Sequence, residues 1–254
     1  MNRTLSALQG VVGSSPLHRL DARVKVVVAL VLVIGVVVTP DGRWIAYPLL
    51  WTLIGSLAGV AQVSVWRLGR LAGVALPFTL AAATLMFTTP GQPLIAGLPI
   101  TDAGLARFAA IVLKSWLSVQ VTLLLGLTTP FTDLLWALDS LRVPATLTAI
   151  IGFMYRYLGT LQDEAERLLR ARAARAGGGS GGSLLWRARI AGGMVGNLFL
   201  RSYERSERIH AAMLARGYDG QARRQSPPPL TRPVLLLGAL PVFTVLILQI
   251  GVRL

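Results

Sequence analysis

Two short segments of this 254-residue chain set a guanidinium among small neighbours: Ala174-Arg175-Ala176 and Ala215-Arg216-Gly217. The chemistry open to them is recognition. An arginine fork can hold a carboxylate through two parallel hydrogen bonds, and alanine or glycine beside it lets a partner's backbone approach. At a helix end an arginine also favours the negative pole of the helix dipole, with no partner involved. Two such motifs, forty-one positions apart on consecutive helical stretches, favour docking. Bond-making chemistry is poorly provided for. There is no cysteine, and the two histidines, His18 and His210, are far apart, so no local metal motif is written in the chain. A phosphate-binding loop needs Gly-x-x-x-x-Gly-Lys-Ser/Thr. The two lysines, Lys25 and Lys114, follow Val24 and Leu113, so any ATP must be bound by another chain.

The elements that must carry these motifs are apolar. Hydrophobic residues make up 54% of the chain and charged residues only 14%, yet the net charge is +14. Such an imbalance suits nucleic acid or a membrane surface. Fifteen of the 25 basic residues fall between Phe131 and Pro233, all of them arginine, while several apolar runs are long enough to cross a bilayer. Met1 to Leu20 lacks an apolar core with a cleavage site, so Val24 is expected to open a permanent span.

Five spans are expected: Val24–Val38, Trp44 to about Val65, Leu68–Phe87, Leu105 to about Leu127, and Val234–Val252. Lys25 is expected to reach the interface along its stem. Thr39-Pro40-Asp41-Gly42 is a turn, Trp44 and Trp66 sit like an aromatic belt, and Pro77 must kink or break the third span. The Pro/Gly-containing stretch from Thr88 to Gly104 has no lysine or arginine, as suits an outside loop. Lys114, near the middle of the fourth span, would cost about 2.5–3.5 kcal/mol facing lipid, so it should face protein or water. Arg3, Arg19, Arg23 and Lys25 before the first span, with Arg67 and Arg70 between the second and third, place the N-terminus inside and the C-terminus outside. The domain reading is 1–130 for a four-span membrane domain, 131–232 for cytoplasmic helices, and 233–254 for the last span.

Within 131–232, Phe131, Leu134, Leu135, Leu138 and Leu141 recur at helical spacing, as in an amphipathic helix on a membrane or partner surface. Pro144 ends it. Ala145 to about Ala176 reads as one helix, apolar and then charged, with Asp163/Arg167 and Glu166/Arg170 as i,i+4 pairs. Arg156 favours a helix beneath the membrane over a further span. The glycine run from Gly177 to Ser183 stops it. Leu184 to about Arg216 is the next helix, with Val195, Phe199, Ser202, Ser206, Ile209 and Met213 as its narrow face, Glu204/Arg208 as a pair, and Gly217 in the left-handed position at its end. Gln221 to Arg232, with Pro227-Pro228-Pro229, is a stiff basic linker.

Several segments together resemble the transmembrane T component of energy-coupling factor (ECF) transporters, in particular the CbiQ-like members associated with cobalt and nickel uptake. They are Ser15-Pro16-Leu17-His18-Arg19-Leu20-Asp21-Ala22-Arg23-Val24-Lys25, then Thr129-Pro130 with Leu134-Leu135-Trp136-Ala137-Leu138 and Leu141-Arg142-Val143-Pro144, then Tyr155-Arg156-Tyr157, Glu164 and Arg167, and most specifically Ala211 through Gly220. The resemblance implies an all-α, L-shaped polytopic membrane protein of about five transmembrane helices plus long cytoplasmic coupling helices, in the inner (cytoplasmic) membrane. It implies partners: two ABC-type ATPase subunits, a substrate-binding membrane S component, and a place for a small accessory membrane subunit. Arg175 and Arg216 would each dock one ATPase, whose motion would tilt the S component. The chain would hold no cofactor, ATP and magnesium belonging to the ATPases. The first motif departs from the family's Ala-Arg-Gly, having Ala176 in third place, and an alternative register uses Ala171-Arg172-Ala173. Ala22 stands where proline is common.

An intramembrane enzyme would need paired acids, histidines or an activated nucleophile within the spans, where this chain has almost none. A nucleic-acid module is disfavoured because the arginines alternate with acids on helices joining membrane spans. A complete permease with its own pathway, past Lys114 and Pro77, and a vitamin system stay open as alternatives.

Overall fold

The computed structural model describes residues 15, 17, 18, 20–90, 101–175, 182–220 and 232–253. Within them every regular element is a helix: α1 (Ala22–Val38), α2 (Ala46–Val60), α3 (Val65–Leu71), a 3-10 turn (Ala72–Ala75), α4 (Leu76–Ala82), α5 (Leu85–Thr88), α6 (Asp102–Thr128), α7 (Phe131–Ser140), α8 (Ala145–Arg175), α9 (Leu184–Ala215) and α10 (Arg232–Arg253). The protein is an all-α membrane protein. Two helices are long and apolar enough to cross a bilayer, Asp102–Thr128 and Val234–Gly251. A third span is available if the pair Ala46–Val60 and Val65–Ala75, bent by 117°, counts as one. α1 is equally aliphatic but has 17 residues, about 25 Å at 1.5 Å per residue.

The second apolar run stops being helical short of the bound expected for it, and the third is broken, as Pro77 requires. α2 ends where Gln62 takes a left-handed conformation (φ 59°) and the amide of Val63 donates back to the carbonyl of Ala58. That pairing closes a helix end and turns the chain sharply. The run from Leu68 to Phe87 is divided among α3, the 3-10 turn, α4 and α5. Pro77 stands in the first turn of α4. Its ring and missing N–H forbid continuation of the preceding helix but are tolerated at a helix start.

Helices α1 to α7 and α10 make one compact unit, and α8 with α9 make a second. The first unit has an aliphatic core of Leu32 and Val36 (α1), Leu50 and Ile54 (α2), Leu68 (α3), Leu117 and Val121 (α6) and Val245 (α10). α1 and α6 run antiparallel, because the start of α1 meets the end of α6 at Lys25 and Thr128, while Asp41 beyond α1 meets Lys114 in α6. α10 runs parallel to α1, with Gly238 against Val24 and Gly35 against Val245. Gln249 Nε2 donates to the Gly35 carbonyl (2.6 Å) and to Thr39 Oγ1 (2.9 Å). α7, grouped by its sequence with the cytoplasmic helices, packs in this first unit: Ala137 lies fully buried against Ala22 and Val26 of α1. Its apolar face thus has an intramolecular partner.

Two lysines find unexpected contacts. Lys25 is held by backbone groups. It is buried, and its Nζ donates to the carbonyls of Thr128 (2.9 Å) and His18 (3.2 Å). Thr128 ends α6, so its carbonyl lacks an intrahelical partner and carries the negative end of the dipole. Lys114 faces protein, as its cost in lipid demands, and its partner is Asp41 (2.7 Å), with Arg107 also 3.7 Å from the same carboxylate.

A Cβ on Gly238 would collide with Val24 Cγ1. Gly238→Ala should therefore force α1 and α10 apart and lower stability by about 1–3 kcal/mol. A thermal melt of the detergent-solubilised protein measures this, and Val24→Ala in the same chain should restore most of the loss.

Candidate functional site

α8 and α9 form an antiparallel pair with unequal faces. Pro144 stops the chain before α8, and Arg142 just ahead of it takes a left-handed conformation (φ 66°). Ser183 caps α9, its Oγ accepting from the amide of Trp186. The contact stripe on α9 is Ile190, Met194, Leu198, Ser202, Ile209 and Met213, all half-buried. These residues follow the i±4 ridge that packs into a facing helix. Val195 and Phe199, expected on that face, are instead exposed (66% and 67%), and Phe199 stacks on Tyr203.

Glu164 joins the two helices. One carboxylate oxygen accepts from Arg201 Nη1 of α9 at 2.8 Å, and the other accepts from Arg167 on its own helix. The sequence pairs Arg167 with Asp163. The structure moves it to Glu164 (i,i+3), because Glu164 is the acid turned toward α9. Glu166/Arg170 (3.4 Å) and Glu204/Arg208 (3.9 Å) form as expected. Hydrogen bonding from Arg201, opposed by desolvation and helped by Arg167, holds the Glu164 carboxyl below its ordinary range.

The two candidate arginines lie at the two ends of this pair. Arg175 is the last residue of α8 and Arg216 the C-cap of α9. Measured along the axes from the Glu164–Arg201 contact, they are about 16 Å and about 22 Å away in opposite senses. Both are exposed. Neither forms an ion pair among the described residues. Ala174 and Ala215 are exposed beside them, whereas Ala176 and the glycines that follow lie outside the described residues. Arg172, the centre of the alternative register, is half-buried. Gly217 has φ 81°, and the amide of Tyr218 donates to the Met213 carbonyl at 3.0 Å. The close of α9 is therefore the left-handed glycine cap its sequence announces.

The other segments singled out by sequence converge on one end of the first unit. Ser15 Oγ lies 2.6 Å from His18 Nδ1, and Asp21 caps α1 by accepting from the amide of Arg23 (2.9 Å). The Arg23 guanidinium stands 4.2 Å from the ring centre of Trp136 in α7. This cation–π contact and the capping by Lys25 escape sequence reading. Their only signal is that a motif before α1 and a motif in α7 occur in one chain. The Asp41–Lys114 pair escapes sequence reading too, its members lying 73 positions apart.

A large share of the chain, residues 13–228, matches the family model described as CbiQ, cobalt transport protein. The chain is 31% identical over 229 residues to the energy-coupling factor transporter transmembrane protein EcfT of Streptococcus thermophilus, covering 84% of this chain and 85% of that one. It is 28% identical over 223 residues to EcfT of Bacillus selenitireducens (84% and 83%), and 32% identical over 158 residues to the cobalt transport protein CbiQ of Rhodobacter capsulatus (62% and 63%).

The Glu164 contact has a pH signature. A carboxyl with a lowered folded-state pKa contributes stability above its unfolded value, and that contribution is lost as pH falls through the folded value. Hydrogen–deuterium exchange of α8 and α9 should thus accelerate as pH drops below about 4, beyond the intrinsic change. Glu164→Gln should show faster exchange already at neutral pH and no such acid step.

The same residues that give this antiparallel pair its arginine ends, and that gather Lys25, Arg23 and Trp136 at one end of the first unit, fall inside the matched region: the chain belongs to the CbiQ family and is a transmembrane T component of an energy-coupling factor transporter.

Proposed function

We propose that this T component couples two ABC-type ATPases to a substrate-binding membrane subunit in the cytoplasmic membrane, with Arg175 and Arg216 as the two docking points. The observation that carries the reading is the placement of these arginines: exposed, without ion pairs among the described residues, at opposite ends of one helix pair. Opposite ends suit two ATPases rather than one. Each guanidinium can take a carboxylate in a groove of its ATPase, and the flanking alanines admit close approach. ATP and magnesium belong to those subunits. The chain itself is a non-catalytic, multi-pass subunit, with its N-terminus inside and its C-terminus outside.

The substrate-binding subunit has a surface to rest on. Leu147, Ile150, Met154, Leu158 and Leu161 form one apolar stripe along α8 at i,i+3 and i,i+4 spacing, all exposed. Such a stripe is a docking face for an apolar membrane subunit. Movement of the ATPases, carried by α8 and α9, would then tilt that subunit and open its site inward. The cargo in this reading is a metal ion, cobalt or nickel; the family description names cobalt. Its ligands would come from the S component, since these ions favour imidazole and related donors. A vitamin cargo is the second reading, favoured by relatives named EcfT, whose names specify no metal.

The test is reversal of both charges. Arg175→Glu with Arg216→Glu should leave the protein in the membrane and abolish co-purification of the ATPases, while either single change should weaken it. Full recovery of the complex with the double variant would reject the docking role.

A further inference from the structure

α7 is the last element of the first unit before the chain passes to α8, with Leu141 to Pro144 between them. Little apolar packing holds it. The cluster it shares with α1 is Ala22, Val26 and Ala137, edged by Leu125, Leu134 and Trp136. Alanine against alanine allows close approach, but two methyl groups bury little area and offer no ridge against sliding. Two basic side chains of α1 supply what this packing lacks. Lys25 fixes the corner where α7 starts, through the carbonyl of Thr128, just before Pro130. Arg23 reaches α7 itself, its guanidinium 4.2 Å from the ring centre of Trp136. Nε and Nη2 are buried without a hydrogen-bond partner among the described residues, and the Asp21 carboxylate stands 4.0 Å from Nε, beyond hydrogen-bond reach. With that edge of the fork unmatched and out of water, the indole face becomes its main support, and loss of water strengthens a cation–π contact.

We infer that Arg23 is a positioning residue for transport: by holding Trp136 it makes α7 a rigid strut, so that a displacement of α8 enters the membrane unit at α1 and α6 instead of being lost in a swing of α7. This rests on the coupling role proposed above and adds the place where motion enters the first unit. The link to α8 is ordered on both flanks. The Leu141 amide donates back to the Ala137 carbonyl (2.9 Å), and the Leu147 amide donates to the Pro144 carbonyl (2.9 Å). Between them Arg142 holds its left-handed conformation. Arginine suits the task at position 23, since its flat guanidinium stacks on an aromatic face, whereas a lysine ammonium has no plane to stack.

The experiment is hydrogen–deuterium exchange of the full transporter complex in nanodiscs, with and without a non-hydrolysable ATP analogue. In the wild-type complex the analogue should change exchange in α8 and α9, in α7, and at the start of α1 and the end of α6. Arg23→Gln removes the charge and leaves Arg175, Arg216 and Glu164 untouched. It should keep ATPase association and the change in α8 and α9, and lose the change in α1 and α6. Trp136→Leu should do the same, whereas Trp136→Phe keeps an aromatic face and should retain the change. A merely structural contact gives another pattern: exchange of α1 and α7 raised equally with and without the analogue, their nucleotide-dependent difference intact. That pattern overturns the inference, as does a wild-type response confined to α8 and α9. Where Arg23→Gln is recovered poorly, Trp136→Leu against Trp136→Phe carries the comparison, and equal responses in the two overturn the inference. A wild-type complex with no response even in α8 and α9 removes the coupling role, and this inference with it. If instead Arg175→Glu with Arg216→Glu retains the ATPases, it is the docking role that fails.

Discussion

One carboxylate sets the geometry on which the functional reading depends. Glu164 accepts from Arg201 across the α8/α9 pair and from Arg167 along α8, and so fixes which residues of the two helices stand opposite one another. The surrounding packing is thin. No residue of α9 is fully buried, and its contact stripe is only half covered. Hydrophobic burial scales with area removed from water, so this pair cannot draw on it as a core helix does. An exposed ion pair is individually weak, but here it acts with an i±4 ridge already in register. Two long helices held at a middle point, with sparse packing beyond it, can change their divergence at modest cost.

The first unit is built on the opposite principle. Val36, Leu50 and Leu68 are fully buried, and Gly35 and Gly238 let α1 and α10 approach until one added carbon would collide with valine. Several of its polar groups cross-link the helices, while the fully buried side chain of Gln120 has no hydrogen-bond partner among the described residues. Lys25 closes the end of α6, Gln249 ties the ends of α1 and α10, and Asp41 binds Lys114. In an apolar solvent each unmet backbone carbonyl is costly, so these side chains complete the helix ends as well as cross-linking them. Close packing transmits displacement rather than absorbing it.

Legibility in the sequence followed the range of the interaction. Features set by near neighbours were readable: the close of α9 at Gly217, the stop before Pro144, the break at Pro77, and the i,i+4 pairs Glu166/Arg170 and Glu204/Arg208. Features set by distant partners were not. Lys25 was read by its own stem length, and its true partner is a carbonyl 103 positions away. Arg167 was given to Asp163 because both are local, while Arg201 on another helix decides which acid turns inward. Val195 and Phe199 fit an amphipathic face by periodicity, but the ridge chosen by α8 lies to one side of them. Hydropathy likewise counts apolar residues without seeing the turn at Gln62, where a non-glycine residue takes a left-handed conformation. The arginines at the helix ends were found because their position is local.

The division between lysine and arginine follows from the same contrast. The chain has only two lysines, and each is enclosed in the first unit with one task. An ammonium is compact and directs its donors around a point, so Lys25 can serve two carbonyls from different segments. Arginine supplies every basic residue of α8 and α9. Its charge does not titrate in the physiological range, its shell of water is more weakly held, and its flat fork loses less freedom when it meets a carboxylate. A lysine there would bring the same charge with less direction. The selection of arginine there, where charge alone would have been satisfied by either residue, points to geometry as the property the surface is built to present.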